Sequence, residues 1–203
     1  MTLIDEIIND SKVMPYVSSL QSYHPETYYH CLRVAELAVK LGVENEYAEK
    51  DQRLLGYSGL LHDIGKKCID KTVLDKPSAL NPEERHLITA HTRLGYLLLS
   101  TFDSSVRHII VAHHEFKKNP YPRKGKDRRT RELLPRTSTE RRAVKPQIST
   151  LAQILAAADV YDALANARAY KPALEKEKIE KIMKQQYAGN QKYVEQVLAI
   201  AVR

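Results

Sequence analysis

An all-α, single-domain helical bundle is the fold class this sequence predicts, and three observations predict it. Apolar residues recur at helical spacing in one segment after another, with cap residues and prolines between the segments. Only seven glycines and few alternating β-branched runs are present, which argues against a mainly β architecture. At 203 residues with 43% apolar content, the chain can bury one full core, filled mostly by Leu, Ile, Ala and Tyr because Trp is absent and Phe numbers two.

The elements follow in order. Leu3, Ile4, Ile7 and Ile8 share one face of a short helix over 2–10, with Thr2 and Asp5 as a capping pair. Pro15 and the Ser/Tyr-rich stretch to His24 read as a connection. Pro25 suits a first helical position, and the helix it opens runs to about Leu41, where Gly42 is expected to end it. A third helix over 47–62 becomes almost wholly apolar at its end (Leu54, Leu55, Tyr57, Leu60, Leu61), so it runs into the core and leaves His62 and Asp63 at a buried terminus; Gly65 is expected to break it. A loop over 67–80 precedes Asn81-Pro82-Glu83-Glu84, a cap, a first-turn proline and two acids that open a helix carrying His86, Ile88, His91 and Leu98. Residues 102–115 form another helix, ending in His113-His114-Glu115. After the irregular stretch 117–145 comes an Ala/Leu-rich helix over 148–168 with Asp159 and Asp162, then Pro172 and two closing amphipathic helices over 174–187 and 190–202. The organisation expected is an N-terminal helix and connection over 1–24 and a main domain over 25–203, with a basic loop inserted at about 117–145.

Charge is uneven. The segment 117–145 holds twelve Lys/Arg against three Asp/Glu, so a net +9 sits there while the rest of the chain carries −2. Such a segment attracts an anionic ligand, a nucleic acid or an acidic protein partner, or is a solvated loop. Two cysteines, Cys31 and Cys68, are too few for a disulfide framework and read as free thiols. The N-terminus lacks the basic and apolar regions of a signal peptide, and no window reaches the roughly 18 apolar residues of a membrane helix. A cytoplasmic protein without a membrane partner is expected; oligomeric state is not legible.

The chemistry centres on His62-Asp63-Ile64-Gly65-Lys66. A buried Asp is costly unless something positive meets it, and a metal is the strongest such partner. Further imidazoles and carboxylates sit at helical spacing on both sides: Glu26 and His30 four residues apart on one face, His91, the pair His113-His114, and Asp159. Neutral imidazole suits Mn, Fe or Zn, and a carboxylate bridges two ions. In a bundle, inward-facing ligands from different helices cage metals, and two ions about 3.5–4 Å apart activate water and polarise a phosphoryl group. No Gly-rich phosphate loop, nucleophilic Ser or Cys motif, or Cys spacing of a structural zinc site is present. A divalent-metal phosphohydrolase is the expected class.

The motifs His30-Cys31-Leu32-Arg33-Val34-Ala35, Leu61 to Lys66, Ile88 to Gly95 with His91, His113-His114-Glu115, and Ala157 to Leu164 followed by Arg168-Ala169-Tyr170-Lys171 occur in that order. In this the chain resembles the HD superfamily of metal-dependent phosphohydrolases, and within it the HD-GYP branch of cyclic-di-GMP phosphodiesterases, over about residues 24–172. The resemblance implies a bundle of the HD-domain type. It implies His62, Asp63 and Asp159 around one metal, Asp63 bridging to a second held by His91, His113 and His114, and Glu26 with His30 in a third site. Two or three divalent ions, iron or manganese, are implied. Lys66 would reach a substrate phosphate, Asp162, Arg168 and Lys171 would lie near the phosphates, and Tyr121 would stand at the mouth. A metal-bridged hydroxide would then open a cyclic dinucleotide or related phosphodiester, with Asp63 and Lys66 central to catalysis.

The family's loop after His-His-Glu is glycine-rich and ends Gly-Tyr-Pro; here it reads Phe116-Lys117-Lys118-Asn119-Pro120-Tyr121-Pro122. Proline forbids backbone conformations that glycine permits, so the loop takes another path. Two further readings stay open: a general HD nucleotidase acting on mononucleotides or short oligonucleotides, and a regulatory module binding nucleotide or nucleic acid through the basic segment.

Overall fold

The computed structural model describes residues 1–118, 120, 146–166 and 174–200. Among these residues the architecture is all-α, as expected: eleven helices and one 3-10 turn, with no strand beyond an isolated bridge between Lys117 and Tyr187. Most of the basic segment, including Tyr121, lies outside the described residues, as do Arg168 and Lys171.

Helix α1, Leu3–Ile8, is closed at its start by the expected capping box, Thr2 and Asp5 exchanging backbone and side-chain hydrogen bonds of 2.8 and 3.1 Å. The expected connection after it is instead a second helix, α2, Met14–Tyr23. Pro15 occupies its first turn, where no intrahelical N–H is needed, and Val17 and Leu20 bury its inner face. Helix α3, Pro25–Glu44, starts at His24, whose Nδ1 accepts from the Thr27 amide at 3.1 Å. Gly42 does not end this helix. It lies buried inside it, where an added methyl group would press on Leu55 of the neighbouring α4, Glu49–Leu61.

The pair α3 and α4 forms the axis of the bundle. At Gly59 a methyl group would overlap the backbone of Ala35, so the two helices touch main chain to main chain. That approach places His30, on α3, beside His62, the residue that closes α4. After α4 the chain tightens into a 3-10 turn, Ile64–Cys68, rather than simply breaking at Gly65. Gly65 is required because any side chain there would overlap the His91 carbonyl and the Gly95 amide.

The expected single helix after Asn81 is two: α6, Pro82–Thr89, and α7, His91–Leu98, meeting at Ala90. A short α5, Lys71–Leu74, lies in the preceding loop. Helix α8, Ser104–Ala112, is capped by Asp103 and ends at His113. Helix α9, Pro146–Ala165, is the core element, with twelve of its twenty residues buried, so that neighbours surround it and its alanines allow them close. By length and composition α9 could cross a membrane, contrary to the expectation that no window would; most of it is buried inside the bundle. Helices α10, Lys176–Gln186, and α11, Gln191–Ile200, close the fold over α9.

Candidate metal centre

Three histidines of the centre stand where a helix ends or begins, which aims their rings across the bundle, while His30 projects from within α3 and His114 follows in the turn after α8. His62 closes α4, His91 opens α7, and His113 closes α8. The three make the same local bond: Nδ1–H donates to the carbonyl three residues back, Gly59 at 2.8 Å, Ile88 at 2.7 Å and Ile110 at 2.6 Å. That bond occupies Nδ1 and turns Nε2 toward the centre, where it carries the lone pair whenever the ring is neutral. His30 does the equivalent with a carboxylate, its Nδ1 lying 2.6 Å from Asp162 Oδ2.

The rings form a continuous set. Centroids lie 5.2 Å apart for His30 and His62, 5.0 Å for His62 and His113, 5.1 Å for His91 and His114, and 3.9 Å for His113 and His114. The ligand atoms fall into two groups, each within 4.8 Å: His30, His62 and Asp63, and His91, His113 and His114. Asp63 stands between them. Its Oδ2 lies 3.4 Å from His62 Nε2 and 3.8 Å from His30 Nε2, while its Oδ1 faces His91 Nε2 at 3.2 Å. Asp159 joins the groups on another side, 3.2 Å from His30 Nε2 and 3.7 Å from His114 Nδ1. His30 therefore groups with His62 and Asp63. Glu26 is exposed and falls in neither group.

The donor set fits divalent metal. Nε2 of His62 and of His113 are buried without a hydrogen-bond partner, an arrangement that is costly unless an electrophile meets them. Burial holds His113 and His114 well below the ordinary histidine range and takes His91 down to about 4, so all three stay neutral and able to ligate. His62 goes the other way: burial lowers it, but Asp63 and Cys31 beside it outweigh burial and hold its pKa well above the ordinary value.

Three carboxylates are matched by three cations. Lys66 Nζ lies 2.6 Å from Asp63, Lys117 Nζ 3.1 Å from Asp159, and Arg33 Nε 2.7 Å from Asp162. Burial would raise all three acids, but these cations and the histidines outweigh it and hold the carboxyls below their usual range. Asp162, which the resemblance places near the phosphates, faces protein groups here. It is buried and spends both oxygens on His30 and Arg33, orienting the ring of the one and the guanidinium of the other.

Lys117 and Arg33 are site residues that sequence reasoning passed over. Lys117 was submerged in a basic run; it is held in place because Lys118 N–H donates to the Gln186 carbonyl and Ala188 N–H to that of Phe116. Arg33 stood in a quoted motif without a role, although its spacing of three from His30 was the available signal. His24 and His108 make the local and loop bonds of structural histidines, and His86 is exposed.

Beside the centre opens a cavity of about 690 Å³, lined by Glu26, Tyr29, His30 and Arg33 of α3, by Lys66, and across from them by residues of the 73–88 segment including Lys76 and Arg85. His30 and Lys66 belong to both the cavity and the centre, so a ligand in the cavity reaches the metal-type ligands.

The family model of the HD domain matches residues 27–164, which include all seven residues gathered around the centre: His30, His62, Asp63, His91, His113, His114 and Asp159. The chain is 30% identical over 166 residues to a cyclic di-GMP phosphodiesterase of Thermotoga maritima, covering 79% of this chain and 40% of that protein. It is 32% identical over 146 residues to the cyclic di-GMP phosphodiesterase response regulator RpfG of Xanthomonas campestris, covering 70% and 34%. It is 28% identical to a 3'3'-cGAMP-specific phosphodiesterase of Vibrio cholerae, covering 90% and 36%. The chain thus spans about two fifths or less of the length of these relatives. The HD domain of the Listeria monocytogenes phosphodiesterase PgpH, crystallised with cyclic-di-AMP, superposes with a TM-score of 0.63 at 17% identity, covering 93% of this chain and 95% of that one.

Proposed function

This chain belongs to the HD domain family, and from that premise we propose that it is a metal-dependent phosphodiesterase that opens a cyclic dinucleotide. The observation that carries the proposal is Asp63, a buried carboxylate with one oxygen toward His30 and His62 and the other toward His91, beside a cavity of nucleotide-accommodating size. His30, His62, Asp63 and Asp159 would hold one divalent ion and His91, His113 and His114 a second, with Asp63 shared. Iron or manganese suits this imidazole and carboxylate set. Bound there, the ions supply positive charge to the phosphoryl oxygens and lower the pKa of water.

The chain's own groups do the rest. Lys66, 2.6 Å from Asp63 and lining the cavity, carries an ammonium at the boundary between centre and substrate. There it meets a non-bridging phosphoryl oxygen and offsets the charge that grows as the P–O bond breaks. The rings of His62, His91 and His113, fixed by their carbonyl bonds, stay aimed at the centre without reorganisation. Asp162 holds Arg33 at the cavity wall, where the guanidinium binds phosphate.

The names of the relatives support cyclic dinucleotides as the substrate class, and the altered loop after Glu115 favours testing smaller substrates beside them. The deciding experiment is a turnover panel with Fe(II) under anaerobic conditions and separately with Mn(II), using Asp63→Ala as the blank. Cyclic dinucleotides converted to linear 5′-phosphorylated products are expected, with Asp63→Ala losing bound metal and turnover together. Hydrolysis of mononucleotides or short linear oligonucleotides alone would move the protein to the general nucleotidases. A metal-free yet fully active Asp63→Ala variant would refute the centre.

A further inference from the structure

Away from the metal centre, a second cavity of about 730 Å³ opens where the turn between α1 and α2, the start of α4 and the chain entering α8 come together. That volume suits a small molecule. Three half-buried rings wall it: Tyr16, Tyr57 and Phe102. Phe102 stands across both tyrosines, at 87° to Tyr16 with centroids 6.4 Å apart and at 69° to Tyr57 with centroids 5.7 Å apart. Rings set crosswise offer a face and an edge to whatever lies against them, the arrangement that holds a planar aromatic body.

The rim decides the charge of that body. Three acids and three bases line the cavity, but the acids are already answered by the protein. Asp10 accepts from the Tyr57 hydroxyl and from the Lys12 amide, both at 2.9 Å. Asp103 accepts from the Ser105 and Val106 amides as the cap of α8. Glu49 lies 3.7 Å from Arg53, whose guanidinium also meets Glu6 at 3.2 Å. Lys12 and Lys50 are exposed, and neither ammonium joins a hydrogen bond or ion pair among the described residues. The charge left over for a ligand is therefore positive, set at the edge of an aromatic wall, and its complement is an anion.

We propose that this cavity is a second ligand site, for a small planar aromatic anion, and that its occupancy is transmitted to the metal centre. Two helices provide the route. Tyr57 precedes His62, at the end of α4, by about 7.5 Å of helix axis, and Val106 precedes His113, at the end of α8, by about 10 Å. Each helix thus begins at the cavity and finishes in an imidazole of the centre. Leu54, Tyr57, Phe102 and Val106 also share one apolar cluster with Leu61 and Ile64, which flank His62 and Asp63. A close-packed cluster passes on a displacement instead of absorbing it.

The test titrates the whole chain with anilinonaphthalene sulfonate, a planar aromatic anion that fluoresces when bound. Saturable binding at one site per chain is expected. The double variant Lys12→Ala, Lys50→Ala should weaken it about five- to tenfold, the loss of two exposed charge pairs. It should also flatten the salt dependence that the wild type shows. Both lysines are exposed, so this variant should fold as the wild type does, which circular dichroism checks. Phe102→Ala should weaken binding about tenfold or more, and Lys66→Ala, at the cavity beside the centre, should leave it unchanged. Coupling is reciprocal: saturating probe should shift the Kd for Mn(II) several-fold, and saturating Mn(II) should shift the Kd for the probe by the same factor. Three results overturn the site: no saturable binding, binding indifferent to salt and to both lysines, or binding lost in Lys66→Ala. A factor of one in both titrations overturns the transmission. Probe and metal binding are read directly, so failure of the phosphodiesterase reading would show separately, in the turnover panel.

Discussion

Asp162 shows how a residue's place in a motif differs from its work. It lies three residues after Asp159 in a helix that carries both toward the centre, and as a sequence symbol it could have met substrate. Buried between His30 and Arg33, it instead sets the imidazole tautomer and anchors a guanidinium. Asp162→Asn preserves shape and removes the charge, so the His30 Nδ1–H loses its anionic acceptor and the ring its fixed orientation. Metal affinity should fall about 10- to 100-fold, the usual cost of losing such a partner, with little change in helix content. Metal titration monitored beside circular dichroism checks this, and unchanged affinity would mean that His30 needs no such orientation. The candidate ligands were legible because imidazoles and acids on otherwise apolar helical segments have few other reasons to be buried. Arg33 and Lys117 were not, because a basic side chain is ordinarily solvated and only a specific carboxylate partner distinguishes these two.

At the scale of elements, two glycines set the spacing of the site. Gly59 lets α3 and α4 meet at Ala35, and Gly65 lets the 3-10 turn pass under α7 at His91 and Gly95. The second contact joins Asp63 to His91, members of the two ligand groups. Gly65→Ala should destabilise the fold by roughly 1–3 kcal/mol, the range for overpacking, at its upper end because backbone atoms rather than flexible side-chain tips obstruct the methyl group. It should also weaken metal retention, since the turn and α7 must part. Denaturant unfolding and metal content test the two consequences, and a variant of wild-type stability and metal content would contradict the close approach. Helix termini were legible where caps are explicit, as at Thr2 and Asn81. They were misjudged at Pro15 and Gly42, because proline tolerates a first turn and glycine serves packing as readily as termination. Neither alternative is decided by local sequence.

For the whole molecule, the buried histidines make stability depend on pH. Burial lowers His91 to about 4 and holds His113 and His114 well below the ordinary 6.5. Between those values the unfolded chain binds protons that the folded chain does not, so stability of the metal-free protein should fall as pH drops from about 7 toward 4. His62 opposes the trend, because its raised pKa contributes stability that is fully present below 6.5 and lost as pH rises through the folded value. The depressed carboxyls of Asp63 and Asp159 contribute above their ordinary 3.8, and that contribution is lost only at lower pH. Near pH 5–6 His62 is protonated in both states and adds no slope, so the three lowered imidazoles set the sign. Thermal unfolding of metal-stripped protein across this range should show Tm falling with acid, and a flat or inverted profile would contradict the burial of neutral imidazole. Added Mn(II) should raise Tm in proportion to the logarithm of its excess over Kd, more at pH 7.5 than at pH 5.5, since protons compete for the same nitrogens.

The sequence by itself determined the helical class, the order of the elements and the inventory of metal-type ligands. Helical periodicity and burial of otherwise costly polar residues are local or pairwise signals that survive without coordinates. Tertiary structure alone decided how those ligands group: His30 with His62 and Asp63, Glu26 outside both groups, and Asp162 behind His30 rather than toward substrate. Grouping depends on which helix ends approach one another, and that is set by contacts such as Gly59 against Ala35 and Gly65 against His91, between residues whose pairing no spacing along the chain reveals.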